Sequence, residues 1–219
     1  MIVLVMHSHK THKEMIIVNN KSELEKLINQ RIEQRGPKCD LNDIDVSRIK
    51  DMSLLFTSSL FDGDISQWDV SNVEDMSYMF SDSYFNGDIS DWDVSKVRDM
   101  SYMFAWSQFD GDISSWNVSN VEDTRHMFDN SEFNRDISDW SVSKVRDMCY
   151  MFASSQFNRD LSKWNVSSVE DMSEMFMWSQ FDGDISGWNV SKVKDMSDMF
   201  SRSPLYGHEP KWYRSRNEV

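Results

Sequence analysis

The sequence predicts an α/β repeat solenoid of seven coils, each 24 residues long. The first observation is a fixed period, which is the signature of solenoids. The segment 64–80 returns without insertion or deletion at 88–104, 112–128, 136–152, 160–176 and 184–200, and more loosely at 40–56. The second observation is that each copy carries eight large apolar side chains. One unit alone cannot bury so many, whereas stacked units can.

The chain divides into three regions on this interpretation. The repeat array occupies 40–203, which is about three quarters of the 219 residues. Residues 1–39 are expected to form an N-terminal cap of short strands and one helix, and residues 204–219 a C-terminal cap or tail. Caps are expected because the apolar end of a terminal coil would otherwise face water.

The N-terminal region opens with two apolar segments rich in β-branched residues, 1–6 and 15–18, which predict short strands. His7, His9 and His12 lie between them. Histidines on a polar loop bind a metal only if the fold brings them together. We therefore interpret this loop as a solvated turn and predict no metal there.

A helix is predicted at 22–35. Ser22 and Glu25 have the spacing of a capping box, and Gly36-Pro37 is typical of the chain just beyond a helix. The helical spacing of the apolar residues gives it one apolar face. That face comprises Leu24, Leu27, Ile28 and Ile32. An amphipathic helix directly before a repeat array is the expected N-terminal cap.

Each coil is expected to contain a strand, a turn, a short helix and a second turn. The tripeptide 68–70 alternates inward and outward side chains, which predicts a short parallel strand. The apolar residues that follow are spaced as on one face of a helix. They are Val73, Met76, Met79 and Phe80. The spacing of Ile65, Trp68 and Val70 matches the L-x-x-L-x-L pattern of leucine-rich repeats.

The segment 85–104 reads Phe-Asn-Gly-Asp-Ile-Ser-Asp-Trp-Asp-Val-Ser-Lys-Val-Arg-Asp-Met-Ser-Tyr-Met-Phe. This pattern closely resembles the BspA-like leucine-rich repeat family, first collected from Mycoplasma surface proteins. The resemblance covers the array, and segments 39–44 and 203–213 are similar to the family's entry and exit. It implies a leucine-rich-repeat fold on proteins that are mostly surface-exposed or secreted and that function in adhesion and protein binding.

The charge of the chain limits its partners. The net charge is -14, and the array alone carries -18 because the two flanks together are positive. Direct binding to nucleic acid or to an anionic membrane needs clustered lysine and arginine, so we predict neither. No apolar segment approaches the ~18 residues of a membrane span, and no signal peptide is recognisable, so we expect a cytoplasmic protein.

Equivalent positions of successive coils form columns. One column alternates in sign, which predicts a ladder of opposite charges that fixes the register between coils. It reads Glu74, Arg98, Glu122, Arg146, Glu170, Lys194. A second column, from Asp40 to Asp184, is aspartate in every coil, so its mutual repulsion must be offset. Backbone N–H groups of the turn are the expected partners, with calcium as the alternative.

Two sets of residues are candidates for binding. The outward position of the predicted strand carries Asp69, Asp93 and Asn117, which form either a solvated polar row or a polar binding groove. Trp106 and Trp178 occupy a column that is otherwise polar and should be exposed, and exposed tryptophan is enriched in binding hot spots.

The fourth copy deviates most from the repeat, and Arg125 and His126 replace its usual Ser-Tyr. Positions needed only for folding should look alike, so we add both residues to the candidate binding surface.

The function predicted from the sequence is non-enzymatic protein binding by a rigid, acidic repeat protein. No catalytic constellation or phosphate loop is recognisable, and no cofactor is predicted. Two alternatives stay open. One is an acidic inhibitor that imitates nucleic acid and blocks a DNA- or RNA-binding protein, and the other is a cell-surface adhesion protein. The sequence identifies neither the partner nor the oligomeric state.

Overall fold

The computed structural model describes residues 15–217. Its regular elements are two strands, β1 (Ile16–Ile17) and β2 (Ile44–Asp45), and two helices, α1 (Lys21–Arg35) and α2 (Lys211–Asn217). The predicted strand 1–6 and the histidine loop lie outside the described residues. No helix within residues 15–217 is both long and apolar enough to cross a membrane.

The N-cap of α1 lies two residues before the predicted one. Asn20 is the N-cap, and its side-chain oxygen accepts the Glu23 N–H at 3.0 Å. The Glu23 carboxylate in turn accepts the Asn19 N–H at 2.8 Å. The capping residues are thus Asn20 and Glu23, not Ser22 and Glu25, and Glu23 accepts the N–H of Asn19 rather than that of the N-cap. Asparagine caps as well as serine does, so Asn20 satisfies one of the first free N–H groups of the helix.

Helix α1 packs on the first coil. Leu24 and Ile28 are fully buried there, and the Arg31 guanidinium pairs with the Asp43 carboxylate at 2.9 Å. Strand β1 pairs in parallel with β2, with Ile16 opposite Ile44. The N-terminal region therefore closes the apolar end of the array and extends its edge by one short strand.

Each 24-residue unit forms one coil whose backbone bonds to the next coil. The Met76 N–H donates to the Asp99 carbonyl at 2.9 Å, and the same bond recurs from coil to coil. Isolated parallel bridges join equivalent residues of neighbouring coils. They join Asp51, Asp75, Asp99, Asp123, Asp147, Asp171 and Asp195 in sequence. Successive coils are thus stacked in register, one period apart.

The coils depart from the expected strand and helix. Within residues 40–203, the backbone forms bridges and consecutive turns, and β2 in the first coil is its only strand element. Met79 N–H closes a turn on the Met76 carbonyl at 3.2 Å, with Tyr78 at φ 58° in the third position. A helix needs N–H groups that bond four residues back within one segment. Here alternate N–H groups bond to the next coil, so spacing that looked helical comes from successive turns.

Asx turns form the corners of the coils, three in every coil except the fifth, where Ser141 stands at one of the three positions. In the second coil the side chains of Asp64, Asp69 and Asp75 each accept the N–H of the serine two residues later, at 2.8–3.1 Å. These turns correspond to the three Asp-apolar-Ser triplets of the repeat. Such side-chain acceptors replace backbone partners at a turn. The invariant column from Asp40 to Asp184 is therefore one set of corners, as expected from the turn N–H explanation.

Aromatic columns fill the interior. The phenylalanines of successive coils stack with ring centres 5.5–6.0 Å apart. They are Phe56, Phe80, Phe104, Phe128, Phe152, Phe176 and Phe200. Each tryptophan of the column from Trp68 to Trp188 donates its Nε1–H to a carbonyl of the preceding coil, as Trp140 does to Ile113 at 3.1 Å. The indole thereby satisfies its one polar group while it is buried.

Helix α2 continues one of these columns beyond the array. Trp212 lies 24 residues after Trp188, stacks on it at 6.5 Å and donates Nε1–H to Ile185. Tyr213 packs edge-on against Phe200 at 4.9 Å. The C-terminal region thus supplies the side chains of a further coil without its backbone.

The predicted charge ladder forms ion pairs across coils. Lys50 pairs with Glu74 at 2.9 Å, Arg98 with Glu122 at 3.3 Å, and Glu170 with both Arg146 and Lys194. All these side chains are at least one-third exposed. Exposed pairs contribute only about 0.2–1 kcal/mol each, so the ladder acts on register more than on stability.

Candidate functional site

Two positions in every coil have a positive φ, between 50° and 64°, although neither is glycine. The first is Leu54, Tyr78, Tyr102, His126, Tyr150, Glu174 and Asp198. The second is Ser58, Asp82, Trp106, Asn130, Ser154, Trp178 and Arg202. A positive φ disfavours bulky side chains and suits asparagine, aspartate and glycine. Large rings at these positions are therefore not explained by local backbone preference.

The aromatic face, defined as Tyr78, Tyr102, Trp106, His126 and Tyr150, is a continuous stack on this surface. Ring centres of neighbouring coils lie 4.2–4.4 Å apart, and the planes are within 10° of parallel. Trp106 adjoins the stack at 6.3 Å from Tyr102. The rings contact one another face to face, so the stack presents ring edges and hydroxyl groups to the surroundings.

Trp106 and Trp178 are both about half exposed, at 47% and 52%. They lie three coils apart, roughly 14 Å at the spacing of paired strands. The structure does not bring them together. Trp106 belongs to the aromatic face, whereas Trp178 lies under the guanidinium of Arg202, which is 4.3 Å from its ring centre.

His126 and Arg125 have separate roles in the fourth coil. The His126 ring replaces a tyrosine in the stack, and its Nδ1 lies 2.9 Å from the carboxylate of the nearly buried Asp129. Arg125 is exposed and lies 3.4 Å from Asp123 and 3.8 Å from Asp147. The arginine thus bridges two acidic corners beside the aromatic face, and the histidine is held within it.

The tyrosines of this face keep their hydroxyl protons at neutral pH. Burial, together with the neighbouring Tyr78, raises the pKa of Tyr102 to about 12. A hydrogen bond to the Glu174 carboxylate raises the pKa of Tyr150 to about 12. Their hydroxyl groups therefore serve as neutral hydrogen-bond donors and acceptors.

Asp123 has an unusual ionisation for a corner aspartate. Burial, reinforced by Asp99 and Asp147 and opposed by the Arg125 N–H and guanidinium, raises its pKa to about 6 from 3.8. The folded protein therefore binds an extra proton between these values, and stability falls as the pH rises from about 4 to about 6. Above that range the charged group remains destabilising.

Asp123→Asn is expected to stabilise the protein by about 1 kcal/mol at pH 7.5 and to have little effect at pH 4. The amide oxygen can still accept the Arg125 N–H, as asparagine does at the corner Asn117. Urea unfolding at both pH values measures the difference.

Asp112→Asn is the matched control for this prediction. The Ser114 N–H lowers the pKa of Asp112, so its contribution is present at neutral pH and is lost as the pH falls through that lowered value. The two variants should therefore shift neutral-pH stability in opposite directions. A shift of both stabilities in the same direction would contradict burial as the cause of the raised pKa of Asp123.

The polar row of Asp69, Asp93 and Asn117 lies on a different leg of the coil from the aromatic face. All three are exposed, and each has one side-chain oxygen engaged by the N–H of a serine two residues later. They thus have a structural role as corners, with the second oxygen or amide group left on the surface. Within residues 15–217, no group of three or more histidine, cysteine and acidic side chains is arranged to hold a metal.

Comparison of the repeat copies with one another identified Trp106, Trp178, Arg125 and His126. It did not identify Tyr78, Tyr102, Tyr150 and Asp129. The tyrosine column falls within the segment for which a short helix was predicted, and that prediction did not indicate its position on the surface. Asp129 stands in a column of otherwise small or apolar residues. Alignment of that column across coils is the signal that identifies it as the partner of His126.

A family described as Mycoplasma protein of unknown function, DUF285, matches the chain twice, at residues 28–132 and 105–212. The two matches overlap and together span most of the chain, including the aromatic face. Searches of curated proteins and of solved structures found no match.

Proposed function

This chain belongs to the DUF285 family of Mycoplasma proteins of unknown function, and we propose that it is a non-enzymatic, protein-binding repeat protein. Its fold on this proposal is a leucine-rich-repeat-like solenoid of the BspA type. Support for the solenoid comes from the hydrogen bonds that join each coil to the next at a constant separation along the chain. The family match is compatible with the BspA-like assignment.

One observation carries the binding proposal: tryptophan occupies a left-handed, half-exposed position in two coils. The left-handed conformation costs an ordinary residue about 1–2 kcal/mol. Aspartate, asparagine and serine fill the same column in other coils, so folding does not require an indole. An indole that is half exposed at a position where the backbone favours other residues supports contact with a partner.

The titratable groups near Trp106 favour binding over catalysis. His126 is engaged by Asp129, and the Tyr150 hydroxyl is engaged by Glu174. Groups that are already paired within the chain add rigidity to the surface. A rigid surface raises affinity because little conformational freedom is lost on association.

The arrangement of charges gives less support to the alternative that the protein is an acidic inhibitor. A protein that imitates nucleic acid needs negative charge over an extended surface. The ladder from Lys50 to Lys194 instead alternates lysine or arginine with glutamate. Such a complex should weaken steeply between about 50 and 200 mM salt. The adhesion alternative predicts export, so cell fractionation separates it from the cytoplasmic location expected from the sequence.

Simultaneous replacement of Trp106 and Trp178 by alanine is expected to weaken binding of the partner by about 2 kcal/mol or more, roughly 30-fold. The full chain, immobilised, would capture the partner from a lysate of the native host, and the affinity of the isolated partner would then be measured. The fold should persist because both indoles are only half buried.

Asn130→Ala with Ser154→Ala is the matched control, since both residues belong to the same column. The control variant should retain the partner. Equal retention by the tryptophan variant and the unchanged chain would refute the proposed binding face.

A further inference from the structure

Trp178 shows which kind of side chain can pack on the ring of a tryptophan in this column. The Arg202 guanidinium carbon lies 4.3 Å from the centre of the Trp178 ring. Arg202 occupies the same column one coil later, so the contact joins equivalent positions of adjacent coils. A guanidinium over an indole is a favourable cation–π arrangement.

Trp106 has a similar backbone conformation and exposure, but its ring lies beside Tyr102 rather than under an arginine of the next coil. Its φ is 55° against 58° for Trp178, and the exposures of the two indoles are similar. The next coil presents Asn130 where Arg202 follows Trp178. Among residues 15–214, whose side chains the structure describes, Arg202 over Trp178 is the one cation found over an aromatic ring, so no cation of that part of the chain covers Trp106.

Two exposed acidic residues lie on the coils next to that of Trp106. The Asp82 N–H donates to Ala105 at 2.8 Å, and the Glu132 N–H donates to Ser107 at 3.3 Å, which places one acidic residue on each neighbouring coil. Asp82 accepts only a neutral hydrogen bond, from Ser58. Within the described part of the chain, neither carboxylate pairs with a lysine or arginine.

We propose that Trp106, Asp82 and Glu132 form a binding site for an arginine side chain from a basic segment of the protein partner. The indole face takes the guanidinium plane, and the carboxylates on either side accept its N–H groups. This inference rests on the proposed protein-binding function and specifies the chemistry of the partner. The net charge of -14 on the chain favours the approach of a basic segment.

Arginine is favoured over lysine by geometry. A guanidinium is planar, so it stacks on an indole while its fork of donors reaches carboxylates at its edges. The intramolecular example at Trp178 is also an arginine. A lysine ammonium would gain the charge attraction but not the stacking.

The test uses the full chain and an acetylated, amidated peptide of three Gly-Arg repeats, with Gly-Lys and Gly-citrulline peptides as matched probes. Indole N–H signals in NMR titrations report the site. The arginine peptide is expected to shift the Trp106 signal and to bind at least about threefold more tightly than the lysine peptide. The citrulline peptide, which lacks the charge, should not bind measurably.

Variants of the chain locate the peptide. Trp106→Ala should abolish specific binding, and Asp82→Asn with Glu132→Gln should weaken it about tenfold. Trp178→Ala should leave it unchanged because that ring is already occupied by Arg202. Arg202→Ala should create a second, weaker site whose signal is that of Trp178.

Two results would refute the proposed arginine-binding site. One is undiminished peptide binding by Trp106→Ala, which would assign the affinity to the acidic surface in general. The other is equal affinity for the arginine and lysine peptides. Either result leaves the proposed function standing if the partner captured from lysate still depends on the two tryptophans. Loss of that dependence would instead refute the proposed function, whatever the peptide does.

Discussion

Phe128→Ala is expected to lower the free energy of unfolding by about 4 kcal/mol, because the ring is fully buried at the middle of the array. Its ring lies 5.8 Å from Phe104, 5.7 Å from Phe152 and 4.2 Å from Phe133. Removal of the ring leaves a cavity between two coils that the rigid stack cannot close. The urea midpoint should fall by about 2 M.

The same change at the end of the column provides the control. Phe200 has a coil on one side only, and α2 covers its other side through Trp212 and Tyr213. In a stack where each unit contacts its neighbours alone, a terminal defect frays one unit while a central defect separates two halves. We expect Phe200→Ala to cost about half as much. Equal losses would show that the array does not behave as a chain of nearest neighbours.

The repeat period determined most of what could be predicted about the interior. Side chains 24 residues apart occupy equivalent positions, so columns such as Trp68 to Trp188 and Phe80 to Phe200 could be recognised as buried without knowledge of the backbone. The ladder from Glu74 to Lys194 followed from the same argument. These predictions needed only that successive coils stack in register.

The backbone within a coil was harder to predict because one spacing of apolar residues fits two structures. Met76, Met79 and Phe80 suit a helical face, yet they also suit consecutive turns with Tyr78 left-handed. Periodicity alone does not separate these cases over so short a segment. The three Asp-apolar-Ser triplets were the better signal, because a turn closed by aspartate recurs at each of them.

The candidate site was predicted in part. Trp106 and Trp178 were found because tryptophan is unexpected in a polar column. The two tryptophans differ because Arg202 covers the Trp178 ring, and Arg202 lies in the same column, one coil after Trp178. Contacts between coils depend on side-chain conformation, and column composition does not specify it. Asp129 differs in this respect, because its partner His126 lies three residues earlier in the same coil and its own column is otherwise small or apolar.

His126→Tyr is expected to destabilise the protein by about 2 kcal/mol, although it restores the residue found in the third and fifth coils. The Asp129 carboxylate is nearly buried and hydrogen-bonds to the His126 ring at 2.9 Å. Tyrosine cannot supply a donor at the same place, so the carboxylate would be left without that partner. An unpaired buried charge is costlier than the hydrogen bond that it loses.

Addition of Asp129→Ala to His126→Tyr should recover most of that loss. The double variant has the same residues as the third coil, where Tyr102 accompanies the buried Ala105, and the fifth, where Tyr150 accompanies Ala153. A double-mutant cycle measured by urea unfolding should therefore give a coupling of about 1–2 kcal/mol. Additive single effects would contradict the pairing. Recovery would show that the fourth coil departs from the repeat through two mutually dependent substitutions, so its distinct surface chemistry does not follow from the requirements of stacking.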